Sequence, residues 1–205
     1  MYTLRPPFFY RMLSPGYLAC SLPTAERVIY LTFDDGPDPD ATPEILNILK
    51  AFHVKSTFFC TGKNVRSYQD IYNLIRDQGH EVGNQTYHHL NGWKCSAGAY
   101  LEDVRLCREV VDSNLFRPPY GRITLPQFIL LRKEYRIILW SLLSADFDRK
   151  ITPEQCLNNL ERIDTGEIIV FHDSTETLGT LRAVLPPFLE LLLSKGFRIK
   201  TVPAG

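Results

Sequence analysis

The run Thr32-Phe33-Asp34-Asp35-Gly36-Pro37 ends an apolar, β-prone stretch, Val28 to Leu31, with two adjacent carboxylates. Carboxylates at the end of a core strand are costly unless paired, protonated or bound to a metal. Gly36 and Pro37 then turn the chain sharply, as a loop over a pocket requires. A polar surface turn uses the same residue types, so the run acquires meaning only from what surrounds it.

From Arg27 onward, short apolar runs alternate with helical patterns, without an internal repeat, low-complexity tract or linker. Val28 to Phe33 reads as a strand, and Thr42-Pro43 supplies an N-cap and first-turn proline to a helix striped by Ile45, Leu46, Ile48, Leu49 and Phe52. Thr57 to Cys60 is a second strand, followed by a helix carrying Ile71, Leu74 and Ile75; Glu81 to Gly83 is a third. Ser96 caps a long helix with Tyr100, Val104, Cys107 and Val111 on one face. Arg136 to Trp140 and Ile168 to Phe171 are further strands, Thr152-Pro153-Glu154-Gln155 has the form of a capping box, and Leu178 to Ser194 predicts a helix bent at Pro186-Pro187. Phe197 to Lys200 closes the series.

Strands alternating with helices predict parallel β/α units, and continuous apolar strands suit a sheet covered on both faces or a closed barrel. Asp34, Asp35, His89, Arg117, Asp146 and His172 all follow strand-like segments. In a β/α barrel those ends share one face, where active sites assemble. This is the pattern of an enzyme.

The chain has 205 residues, enough for one domain with a substantial core, read as an N-terminal extension over 1–26 and a catalytic domain over 27–205. Its 23 basic and 23 acidic residues show no single-sign run, which argues against a nucleic-acid partner. No apolar stretch is long enough to span a membrane. Pro6, Pro7, Pro15 and Gly16 interrupt the first residues, so a secretory core is missing and a cytoplasmic location is expected. The five scattered cysteines read as reduced, mostly buried small hydrophobes. Nothing in the sequence sets the oligomeric state.

The motifs resemble those of the polysaccharide deacetylases with the NodB-homology domain, carbohydrate esterase family four. Thr32 to Pro37 matches the family's first motif, Gly79 to His89 resembles the second, and Arg117-Pro118-Pro119-Tyr120-Gly121 matches the third. Trp140 to Phe147 is similar to a divergent fourth, and Ile168 to Asp173 to the fifth. The resemblance implies an α/β fold, a distorted, incomplete (β/α) barrel, and metal-assisted removal of acetyl groups from an N-acetylated sugar or oligosaccharide. It further implies Asp34 as general base, Asp35 and His89 as metal ligands, and Arg117 as the partner that keeps Asp34 anionic. Tyr120 would give its backbone N–H to the oxyanion, His172 would be the general acid, and Asp146 would tune that imidazole or brace Arg117.

The family's metal site needs two histidines four residues apart, and here the first position is Gln85. A Gln carbonyl oxygen is a neutral ligand, weaker than imidazole toward zinc. Three outcomes stand open: ligation through the Gln85 oxygen, replacement by water or His88, or loss of the metal. The expectation is a weakly held divalent ion, zinc before cobalt or nickel, with Gln85 as third ligand. The alternative is an inactive, deacetylase-like carbohydrate-binding protein; metal-dependent hydrolysis of a different acyl or amide bond is a third reading. Leu143 is a second departure, where many relatives carry an acidic residue. His53 reads as a surface or helix-end residue, His80 as a structural hydrogen-bonding residue, and Trp93 as either core or the lining of a sugar site.

Overall fold

The computed structural model describes residues 4–5 and 18–204. The proline-interrupted first residues, on which the expectation of a cytoplasmic location rests, lie, apart from Leu4 and Arg5, outside the described residues. Nine strands are found among the described residues: β1 (Leu18–Ala19), β2 (Val28–Asp34), β3 (Thr57–Cys60), β4 (Glu81–Asn84), β5 (Leu115–Phe116), β6 (Arg136–Ile138), β7 (Leu142–Leu143), β8 (Ile168–His172) and β9 (Arg198–Lys200). The helices between them are α1 (Ala41–Ala51), α2 (Gly62–Ser67), α3 (Gln69–Asp77), α4 (Ala97–Arg108), α5 (Leu125–Leu131), α6 (Pro153–Asn159) and α7 (Leu178–Ser194). The sheet runs β1-β6-β5-β4-β3-β2-β8-β7, with β9 also paired to β2, and every ladder is parallel. It is the expected α/β architecture, a curled sheet that is an incomplete barrel.

Register explains why the polar residues collect. Phe33 lies opposite Phe58 on one neighbour and opposite Phe171 on the other. Their rings stack at 5.0 and 6.0 Å in the layer between sheet and helices, where Phe171 also meets Phe188 of α7. Burying each such ring contributes roughly 1.5–3 kcal/mol. Because side chains alternate along a strand, Thr32 and Asp34 face the other way, into the barrel. There Asp34 has Phe59 and His172 as its register partners.

Several local expectations change. Residues 18–19 belong to the sheet, so the fold begins before the expected boundary at 27. Thr42 does not cap α1: the Asp38 carboxylate accepts from Asp40 N and Ala41 N at 2.9 and 2.8 Å, while Thr42 turns its hydroxyl to Asp173. On α3 the buried positions are Tyr72 and Ile75, and Leu74 is exposed. The helix expected over Leu178–Ser194 is found with those bounds and holds Pro186 and Pro187 inside it. β6 stops at Ile138 rather than Trp140, for a reason given below. Ser96 and the Thr152–Gln155 box do cap α4 and α6. No helix of the described residues is long and apolar enough to cross a membrane.

The barrel's open seam is tied by the first residues. Leu4 O accepts from Leu143 N at 2.9 Å on the β7 edge, and Leu18–Ala19 pair with β6 on the other edge. Arg5 forms an ion pair with Glu167, whose side chain is wholly buried, and also bonds the Arg162 carbonyl. Removing one partner of such a pair leaves a buried charge without compensation. Arg5→Ala is therefore expected to cost about 3 kcal/mol in a denaturant titration, and adding Glu167→Gln to that variant should return most of the loss.

Candidate active site

Arg117 follows β5 directly and is completely buried, the largest side chain to be so. Each of its three nitrogens is bonded. Nη1 meets Asp34 Oδ1 at 2.5 Å and donates to Thr32 Oγ1 at 2.8 Å. Nη2 donates to Leu139 O at 2.9 Å and Nε to Ile138 O at 3.3 Å, which is why β6 ends there: its last carbonyls serve the guanidinium. The flat face lies 4.0 Å above the Phe59 ring centre. Burial pushes the Asp34 carboxyl above its usual range, and the Arg117 charge pulls it back only in part. A carboxylate so placed is a stronger base than a free one.

His172, one strand away, meets Asp146 Oδ1 through Nδ1 at 2.8 Å, and its backbone N–H donates to Asp146 Oδ2 at 2.8 Å. Ser144 Oγ donates to the same carboxylate at 2.9 Å. Asp146 thus braces the imidazole rather than Arg117, which it does not contact. Burial opposes the imidazolium, yet the charge and hydrogen bond of Asp146, with Asp35 and Asp34 further off, raise the His172 pKa to about 9. Nε2 is left as the nitrogen that can meet a substrate.

The loop after β2 is held from all sides. Asp35 is left-handed, at φ 84°, with its carbonyl bonded by Asn64 Nδ2 at 2.8 Å and Thr61 Oγ1 at 3.3 Å. Gly36 donates its N–H to Asp173 Oδ1 at 3.1 Å, and a Cβ on residue 36 would lie 1.9 Å from the other Asp173 oxygen. Only glycine fits. Burial pushes the Asp173 carboxyl well above its usual range against hydrogen bonds from Thr42 and Gly36.

Of the expected metal ligands, Asp35 and His89 converge: Oδ1 and Nε2 are 3.0 Å apart. That spacing suits two adjacent ligands of one ion at bond lengths of about 2.1 Å. Gln85 is buried beside them, but its carbonyl oxygen accepts from the Asp35 N–H at 2.8 Å. The atom expected to ligate is engaged in bracing the loop. His88 points away, with both its N–H and its Nδ1 on Asp103, so it does not fill the gap. Among the described residues no group of three His, Cys, Asp or Glu side chains could hold an ion. Two donors converge, one short of the three protein ligands usual for a catalytic divalent ion.

Tyr120 is left-handed at φ 60°, its ring sits 4.7 Å from His89, and its N–H has no acceptor among the described residues. His80 lies away from the site, accepting from Ser56 N at 3.2 Å; burial and then Lys55 lower its pKa to about 4. His53 takes a left-handed position just past α1. Trp93 is not core but exposed. Leu143 is buried in β7 and takes no part in the site. All five cysteines are free, and four are buried.

Among the supporting residues, Thr32 and Asp173 lie inside the first and fifth motifs without an expected role, and Phe59 and Asn64 lie outside the motifs. The alternation of Thr32 with Asp34 was the available signal for the first, since both face one side of the strand. The others become neighbours only through the fold.

The sequence profile of the polysaccharide deacetylases matches residues 21–132, more than half of the chain. The chain belongs to the polysaccharide deacetylase family. It is 30% identical over 201 residues to a peptidoglycan-N-acetylglucosamine deacetylase of Bacillus cereus, covering 91% of this chain and 92% of that protein. Among solved structures, a peptidoglycan N-acetylglucosamine deacetylase in complex with 4-naphthalen-1-yl-N-oxidanyl-benzamide superposes with a TM-score of 0.88 at 30% identity, over 97% of this chain and 95% of that one. A mutant of a CE4 family pseudoenzyme with restored enzymatic activity superposes at 0.78 and 25% identity, over 93% and 71%. The fold is therefore that of the family, and the family includes a member that has lost activity.

The His172–Asp146 pair has a direct readout. In metal-free protein the imidazole is expected to titrate near pH 9 by NMR, and Asp146→Asn should bring it to the ordinary value of about 6.5 or lower. Because the folded pKa lies above the unfolded one, this pair's contribution to stability is complete below about pH 6.5 and is lost as pH rises through about 9. A pH-independent unfolding midpoint across that window would contradict the assignment.

Proposed function

We propose that this deacetylase-family chain hydrolyses the acetamide of an N-acetylated saccharide, releasing acetate. The observation that carries the reading is the pairing of a buried base and a half-buried acid on adjacent strands: Asp34 held by Arg117, and His172 held by Asp146. Both proton affinities are raised, which makes the Asp34 carboxylate a better base and keeps the His172 imidazole protonated as an acid.

Asp34 is the base that takes the proton from the attacking water, its orientation set by Arg117. Tyr120 offers its unoccupied N–H to the oxygen that gains charge when the carbonyl is attacked. His172, protonated at neutral pH because of Asp146, delivers its proton from Nε2 to the departing amine. Asp35 and His89 are the residues that would hold a divalent ion, and Gln85 acts on it through the Asp35 loop. When bound, such an ion polarises the acetyl carbonyl and acidifies water.

Acetate release from N-acetylglucosamine oligomers, with zinc, cobalt or nickel supplied, tests the reading. Turnover should fall at least about a hundredfold in Asp34→Asn and in His172→Gln. A native protein that releases no acetate with any of the three ions would remove it.

A second reading, a saccharide-binding protein without turnover, is favoured by one observation: the oxygen of Gln85 already accepts from the Asp35 N–H, which leaves it a single lone pair for an ion. Metal affinity separates the two. Elemental analysis after dialysis is expected to find less than one ion per chain in the native protein, and Gln85→His should raise zinc affinity about tenfold or more. Activity that rises together with that affinity would mark the native site as a weakened one. Activity already present in the native protein and lost in Gln85→Ala would mark the Asp35 brace as sufficient.

A further inference from the structure

An aromatic rim beside His89 is not used by the hydrolytic groups. Trp93 exposes 63% of its surface and Tyr120 60%. Neither residue is loosely held. The Trp93 indole N–H donates to Ile123 O at 3.2 Å, and its backbone N–H donates to Asn91 Oδ1 at 3.0 Å. The Tyr120 ring is packed against His89, which in turn reaches Asp35. Between the two aromatics lies Arg122, its guanidinium carbon 5.2 Å from the Trp93 ring centre and 6.0 Å from that of Tyr120. Arg122 makes no ion pair with any described residue. The two segments approach closely because residue 92 is glycine: a Cβ there would lie 2.5 Å from Arg122 O.

Exposed aromatics gain little from burial, so holding one in a single orientation has no stabilising purpose of its own. A fixed flat ring does offer a ready apolar face to a pyranose at small entropic cost. A guanidinium stacked on rings keeps its N–H edge free, and that edge matches a carboxylate with two parallel hydrogen bonds. Arg122 lies two residues past Tyr120, so it borders the position assigned above to the scissile acetamide.

We propose that Trp93, Tyr120 and Arg122 form a subsite for the sugar adjoining the one to be deacetylated, and that Arg122 selects a neighbour bearing a carboxylate. The placement of the acetamide rests on the deacetylase reading; the binding preference does not. The carboxylate can sit on a lactyl ether or at C6 of a uronic acid, and both present the same group to Arg122.

Calorimetric titration of the full chain, with a chelator present to suppress turnover, tests the subsite. Three tetrasaccharides serve as probes: one of N-acetylglucosamine alone, one alternating it with N-acetylmuramic acid, and one alternating it with glucuronic acid. At low salt the native protein is expected to bind at least one acidic probe roughly fivefold more tightly than the neutral one. High salt and Arg122→Gln should each remove that difference, whereas Trp93→Ala should weaken all three. Which acidic probe is preferred distinguishes the lactyl from the uronic source. Equal affinities in the native protein, a preference that survives Arg122→Gln, or no binding of any probe would overturn the proposal. Acetate release is measured separately with metal restored. A preference without release leaves the subsite standing and removes the reaction, and release without preference does the converse.

Discussion

The architecture of the site depends on keeping one guanidinium out of water. Moving a cation into the interior costs several kcal/mol, which is recovered only if every donor finds an acceptor in good geometry. Arg117 comes near that condition, with four bonds from its three nitrogens, by drawing on four strands at once: Thr32 and Asp34 of β2, the Phe59 face of β3, the end of β6, and, through the Thr32 hydroxyl bonded to Ile169 O, β8. The cation therefore positions Asp34 and also sets where β6 stops. Weakening any of these contacts would disturb Asp34, because a side chain buried this completely has little access to a replacement acceptor.

The long elements and the polar cluster were legible because each carries its own local signal. β2, β3 and β8 are apolar runs several residues long, and the capping residues of α4 and α6 stand where sequence rules put them. β1, β5 and β7 are two residues each, too short to show a period, and they exist because the neighbouring strands leave an edge to be paired. α5 was passed over although Thr124 and Gln127 repeat the box seen at α6, with Gln127 Oε1 bonded to Thr124 N at 2.9 Å. Thr42 satisfied the rule for an N-cap but had a stronger demand on its hydroxyl, the buried carboxyl of Asp173 far along the chain.

Gln85 shows the limit of reading a ligand from residue type. The side chain is where a ligand would be, yet its amide oxygen is turned to the backbone N–H of Asp35, which it shares with the Phe59 carbonyl at 3.2 Å. What the site loses in metal donors it keeps in loop definition. Asp34, Arg117, Asp146 and His172 depend on neither function of Gln85, which is why the acid–base pair persists beside an incomplete donor set.

The tie across the barrel's open seam has a consequence for how the chain reaches its native state. Arg5 and Glu167 are 162 residues apart, so their pairing is among the least local contacts in the molecule. Contacts of that separation form late, since the entropy of closing the intervening loop must be met before they return anything. During synthesis the first residues emerge long before the strands they secure, and the β7 edge and Glu167 that they meet are made only when most of the domain has emerged. Closure of the seam is thus the step that ends exposure of that edge, and the segment least involved in chemistry governs how long the nascent chain remains open to wrong pairings.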